Sequence, residues 1–226
     1  MADTDVKVLG SWLSPYVNRV AMALKLKSIK YELVEMNPHQ KTELLAKHNP
    51  IHKKVPVLIH ADRSICESLI IVQYIDESWP NGPSILPSDP HDRSAARFWA
   101  AYIDDKWSPL FREVKEAKDD DEKRVVMEKI QSGLVLLEEA FVMCSKGRDF
   151  FNGDEVGYLD IALGSFLGWI GVTETMIGIK VLDAAMAPNL VSWADRLYCS
   201  SSVKDVMLQT PALLEVLKKL KAAKDD

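Results

Sequence analysis

The period of the apolar positions changes once along this chain. Up to about residue 80 the apolar runs are short, at 6–9, 31–34, 55–60 and 64–66, and each is bounded by polar or turn-forming residues, which predicts strands. The stretch after Pro15 and the segment 67–79 are long enough for helices. The second of these is dense in Leu, Ile and Val on nearly all sides, so it is expected to lie sandwiched in a core. Strands interleaved with helices make an α/β unit, and the short link Ala61-Asp62-Arg63 predicts a hairpin although it lacks a glycine.

Pro80, Asn81, Gly82, Pro83, Pro87, Ser88 and Pro90 then crowd together, the composition of a connection between two units. The predicted division is an α/β domain over 1–80, a linker over 81–89 and a helical domain over 90–226. Beyond the linker the strand pattern vanishes: Phe98, Trp99, Tyr102, Ile103 and Trp107 recur at helical spacing, and 125–142 and 213–220 repeat it. Pro90 after Asp89, and Pro211 after Thr210, stand where helices start. Pro109 interrupts the helical stretch around it, which predicts a kink and a cleft. The acidic run 119–122 predicts a solvated turn and helix start, and 161–179 a buried helix and its exit.

Composition narrows the class. The chain has 226 residues, 47% of them hydrophobic and 27% charged, with 28 basic against 33 acidic side chains, the make-up of an ordinary globular protein. A formal charge of −5 argues against a nucleic-acid surface. The first ten residues carry no apolar core of a secretory signal, and no stretch is apolar enough for a membrane span. Cys66, Cys144 and Cys199 are widely spaced without a C-x-x-C pair, so neither a disulfide framework nor a metal site is expected, and a reducing cytosol is. His48 and His52 would share a helical face, but Pro50 between them disfavours a continuous helix and leaves two surface histidines.

Candidate chemistry sits where strands become helices. Ser14-Pro15 follows the first strand and opens the first helix, so the Ser14 hydroxyl meets an anion-favouring helix N-terminus. A helix cap and nothing more is the plainer reading of Ser14 alone. The segment 52–58, with Lys53, Lys54 and a cis candidate at Val55-Pro56, and the segment 66–70 together describe a site for a zwitterionic peptide. There Glu67 can accept an amine, and Ser68 with free amides can meet a carboxylate.

These motifs resemble the glutathione transferases. Ser14-Pro15-Tyr16, 52–58 and 67–77 are similar specifically to the plant tau class, and the likeness runs over the whole chain. The resemblance implies a thioredoxin-like α/β domain followed by an all-helical one, and no cofactor, with glutathione as co-substrate. It implies that Ser14 activates the glutathione thiol, that Lys41 and Lys54 meet the glycine carboxylate, that the Val55 backbone pairs with the cysteinyl unit, and that Glu67 and Ser68 hold the γ-glutamyl end. For the electrophile it implies a pocket lined by Trp107, Phe111, Arg112, Trp169 and Val216, although aromatics at helical spacing also suit plain core packing. Asp160, in the segment 152–160, is a structural capping acid with Gly157 at the cap. A homodimer acting on hydrophobic electrophiles in detoxification and stress response is implied, without nucleic-acid or membrane partners. A non-catalytic carrier of hydrophobic ligands and an adaptor on the same fold are the rivals.

Overall fold

The computed structural model describes residues 5–37 and 42–225. Four strands form one mixed sheet in the order β2-β1-β3-β4. β1 (Val6–Gly10) lies inside it and is buried along almost its whole length, as an interior strand requires. β2 (Glu32–Glu35) runs parallel to β1 at one edge, while β3 (Val57–His60) and β4 (Arg63–Cys66) run antiparallel. α1 (Pro15–Leu26) is the crossover between the parallel pair. A short helix not foreseen in the sequence, α2 (Glu43–His48), is capped by Thr42, whose Oγ1 accepts from the Leu45 N–H at 3.2 Å.

The starts of β3 and β4 differ from expectation. β3 begins at Val57 and not at Val55, because Pro56 lacks the N–H a ladder position needs. Arg63 joins β4 opposite His60, so only Ala61 and Asp62 turn the hairpin. Both have positive φ, +48° and +65°, the mirror-image turn that matches strand twist and that glycine or asparagine ordinarily supplies.

α3 (Ser68–Ser78) buries Ser68, Ile71, Val72 and Ile75. The expectation that it is enclosed on all sides is corrected here: Ile70 is 55% exposed, because no described element covers that face. The linker is tied down by Asp76, which accepts from the Ile85 and Leu86 N–H groups at 3.0 Å each. The same carboxylate pairs at 2.8 Å with Lys27, whose side chain is almost fully buried.

The remainder is helical: α4 (Pro90–Tyr102), α5 (Leu110–Glu116), α6 (Asp120–Ser145), α7 (Tyr158–Gly164), α8 (Leu167–Ile177), α9 (Pro188–Cys199) and α10 (Thr210–Asp225). Asp89 caps α4 by accepting from the His91 and Asp92 N–H groups, and Asp119 caps α6 at Glu122. Between α4 and α5 the chain makes a π-helical turn, Ile103–Trp107, and the Ser108 N–H reaches back to the Ile103 carbonyl at 2.7 Å. This wider turn rotates Trp107 into the core, where its Nε1–H donates to the Ile130 carbonyl at 3.0 Å. Gly133 makes the room: a Cβ there would stand 2.5 Å from the indole.

The buried stretch expected over 161–179 divides into α7 and α8. The Ala162 carbonyl accepts from the Arg19 guanidinium at 3.0 and 3.3 Å and from Ser165 Oγ at 3.2 Å. Side chains thus replace helical donors at the break. Asp160, fully buried, accepts from the N–H groups of Phe151, Asn152 and Gly157 and from Trp193 Nε1. Burial pushes its carboxyl up to about 6 against those four donors. One apolar core runs without a break from β1 and α1 through α4, α6, α7 and α9.

Candidate active site

Leu9, Val57 and Cys66 form one row across β1, β3 and β4. The chain leaves β1 just after this row, enters β3 just before it and leaves β4 just after it. Ser14, Val55 and Glu67-Ser68 therefore gather off the same end of the sheet.

Ser14 is the N-cap of α1. Its half-buried side chain has Oγ facing the Val17 N–H at 3.4 Å, and its own N–H donates to the Ser11 carbonyl at 2.9 Å. The hydroxyl uses a lone pair on the helix, so its O–H stays able to donate to an anion at the positive helix end.

Glu67 is held at φ +69°, ψ +116°, a conformation that costs a non-glycine residue about 1–3 kcal/mol and concentrates at functional sites. Its carboxylate is half exposed and lies 3.9 Å from His52 Nε2. Ser68, next to it, is buried, and its Oγ accepts from Arg19 Nη1 at 3.2 Å, which leaves that hydroxyl's proton free for a carboxylate. Cys66, just before them, is a free thiol pushed up by burial and then by the Glu67 charge.

Arg19 is a residue that the sequence analysis missed. It is 0% exposed, binds both oxygens of Asp104 at 2.8 and 2.6 Å, and sits over the rings of Tyr16 and Phe166. One guanidinium thus ties α1, α3, α7 and the π-helical turn together beside Ser68, and the fixed fork suits that task. The signal was a charge inside the apolar helix face of Val17, Val20 and Ala23, where an unpaired ion is prohibitive.

Asn49 was also missed. It is buried, accepts from the His52 N–H at 3.1 Å and donates to the Lys54 carbonyl at 2.9 Å, which shapes the turn that presents Lys54 and Val55. The Val55-Pro56 bond is cis. Lys54 is exposed, and Val55 precedes the sheet register, without a ladder partner in it. Lys41 lies outside the described residues.

The apolar side of the site is built differently. Leu13, beside Ser14, packs in a cluster with Trp169 and Val172 of α8 and Leu213, Leu214 and Leu217 of α10. Trp169 is half-buried, and its Nε1–H donates to the Leu13 carbonyl at 2.9 Å. Val216 is half-buried on α10. Phe111 is half-buried edge-to-face against Trp107 at 4.9 Å, and Arg112 is exposed. Trp107 itself is 1% exposed; its expected place in a pocket wall is corrected to the core, since an enclosed indole offers no face to a ligand. A cavity of about 500 Å³ between the linker, the start of α4 and the end of α6 shares no residue with this site.

Among known proteins, the family model for the glutathione S-transferase N-terminal domain matches residues 9–83. Glutathione S-transferase U17 of Arabidopsis thaliana is 52% identical over 97% of both chains, and U18 of the same plant is 53% identical over the same shares. Among solved structures, a Tau class glutathione S-transferase from mango has a TM-score of 0.92 at 52% identity, covering 97% of this chain and 100% of that one. A rice enzyme solved in complex with glutathione has 0.87 at 30% identity and 99% coverage of both. The thioredoxin-like four-stranded sheet and the helical remainder are those of a glutathione transferase. The chain belongs to the tau class of that family.

Proposed function

We propose that this enzyme joins the sulfur of glutathione to hydrophobic electrophiles such as aryl halides and activated alkenes, with Ser14 as the thiolate-stabilising donor and no cofactor. The observation that carries the reading is Ser14 Oγ at the N-terminus of α1, off the same end of the sheet as the strained Glu67. A free thiol of this type has a pKa of about 8.5, so a small fraction is thiolate near neutrality. A hydroxyl donor and oriented helix amides enlarge that fraction, and attack on carbon then needs position and electrostatics more than a base.

In this reading Glu67 accepts the γ-glutamyl ammonium, Ser68 donates to the neighbouring carboxylate, and Arg19 orients Ser68. Lys41 and Lys54 face the glycine carboxylate, and the backbone of Val55 pairs with the cysteinyl unit. Leu13, Trp169, Phe111, Arg112 and Val216 with the leucines of α10 receive the electrophile. Residues 1–80 hold the glutathione, and residues 90–226, with Leu13, receive the electrophile. Detoxification and stress response in the cytosol suit such a reaction, and no helix among the described residues is long and apolar enough to cross a membrane.

A homodimer is supported by large apolar side chains left open on adjacent helices. Ile70 of α3 is 55% exposed and Phe98 of α4 64% exposed, and Arg97 Nε bonds Gln73 at 2.9 Å to bring those helices together. Sedimentation at the mass of two chains checks it.

Steady-state turnover of glutathione with an aryl halide tests the reaction. Ser14→Ala is expected to keep the fold and most of the glutathione affinity while losing about 10²–10³ in kcat, the scale of a deleted oxyanion donor. Near-native turnover in that variant removes Ser14 from the chemistry.

A further inference from the structure

α8 and α10 approach more closely than side chains allow. A Cβ at Gly168 would stand 2.6 Å from the Leu208 carbonyl oxygen, and one at Gly171 would run into Thr210 Oγ1. Both contacts are with the segment that leads into α10, and Thr210 Oγ1 donates to the Gly168 carbonyl at 3.1 Å, fixing that approach. Neither glycine has an unusual backbone, since positive φ is confined to Gly82, Gly147, Gly153 and Gly178 among the described glycines. Their lack of a side chain therefore serves contact and not conformation. Gly171 stands in the interior of α8, where a glycine costs about 1 kcal/mol against alanine, so the close approach carries a standing penalty.

What the approach positions is the apolar side of the site. Between the two glycines stands Trp169, bonded to the carbonyl of Leu13, the neighbour of Ser14. Just beyond Thr210 stand Leu213, Leu214 and Leu217 in the same cluster. Leu13, Trp169, Leu214 and Leu217 are only partly buried there, so they have surface to offer a ligand.

We propose that Gly168 and Gly171 act as the gauge of the electrophile pocket: by admitting the 208–210 backbone against α8, they set how far Leu214 and Leu217 stand from Leu13 and Trp169. They are positioning residues that select co-substrates by size without touching them. The proposal rests on the transferase reading above. A side chain at Gly171 moves the start of α10 outward, widens the gap and favours a bulkier electrophile.

The test compares kcat/KM for a one-ring and a fused-ring aryl halide in the full-length enzyme, with melting temperature and the KM for glutathione alongside. Gly171→Ala is expected to raise the fused-ring to one-ring ratio on the order of tenfold, the scale of one methylene of apolar fit, with the glutathione KM unchanged. Thr210→Ala added to it removes the clashing Oγ1 and Cγ2 together with the bond to the Gly168 carbonyl, so it is compared with Thr210→Ala alone, and the two are expected to share one ratio. Thr210→Ile presses on the same contact from the other helix and gives the readout if Gly171→Ala does not fold. An unmoved ratio in the folded variants overturns the gauge. A ratio raised further in the double variant than in Thr210→Ala alone also overturns it, because alanine would then be acting through α8 alone. Absence of turnover with either halide in the native enzyme sinks the transferase reading and the gauge with it, and is distinguishable from both.

Discussion

The two halves of the site are specified by different physics. The proposed glutathione side depends on single polar groups placed by backbone events: a cap at Ser14, a strained φ at Glu67, and the turn around Asn49 that presents Val55. The apolar side depends on how closely two helices pack, through Gly168, Gly171 and a cluster of leucines and Trp169. Directional groups fail when one atom is removed, whereas a packed wall deforms by degrees. Loss of a polar atom on the first side should therefore cut function by orders of magnitude in an intact fold, and substitutions on the second should retune preference.

The largest expected effect bounds this contrast from outside both halves. Trp107→Ala empties a buried indole site and removes the indole N–H from the Ile130 carbonyl, a loss on the order of 3–5 kcal/mol. For a chain of this size that lowers the melting temperature by roughly ten degrees. The ranking of electrophiles should stay as it is. An unchanged melting temperature with a reordered ranking would put Trp107 back in the pocket wall.

Within the glutathione half, Glu67→Ala tests whether the strained residue is there for its carboxylate. Loss of a charge-assisted acceptor, about 1.5–3 kcal/mol, predicts a Kd for glutathione weaker by roughly 10–100-fold in calorimetry, with the melting temperature nearly unmoved. Equal affinity in the variant would reduce Glu67 to a helix-start acid.

The same division explains what could be read from the sequence. Ser14-Pro15, Val55-Pro56 and Glu67-Ser68 were legible because caps, prolines and strand-to-helix junctions leave local signatures. The α/β pattern and the helical remainder were legible from period. The partners of Arg19 were not, since they come from Ser68, Asp104 and Ala162, far apart in sequence. Trp107 was misplaced because helical spacing marks a buried face without saying whether core or ligand covers it, and a π-helical turn then changed which way the face points. Gly168 and Gly171 carry no local signature: their reason is the backbone and side chain of 208–210 lying against them.

In the proposed reaction the Ser14 hydroxyl stabilises the bound thiolate. Ultraviolet absorbance of the thiolate, followed across pH on the enzyme saturated with glutathione and free of electrophile, measures this directly. The bound thiol is expected to titrate well below the free value of about 8.5. In Ser14→Ala, still saturated with glutathione, the titration should return most of the way to that value. A bound thiol with an unshifted pKa in the native enzyme, or the same depressed pKa in both proteins, would contradict the assignment of Ser14.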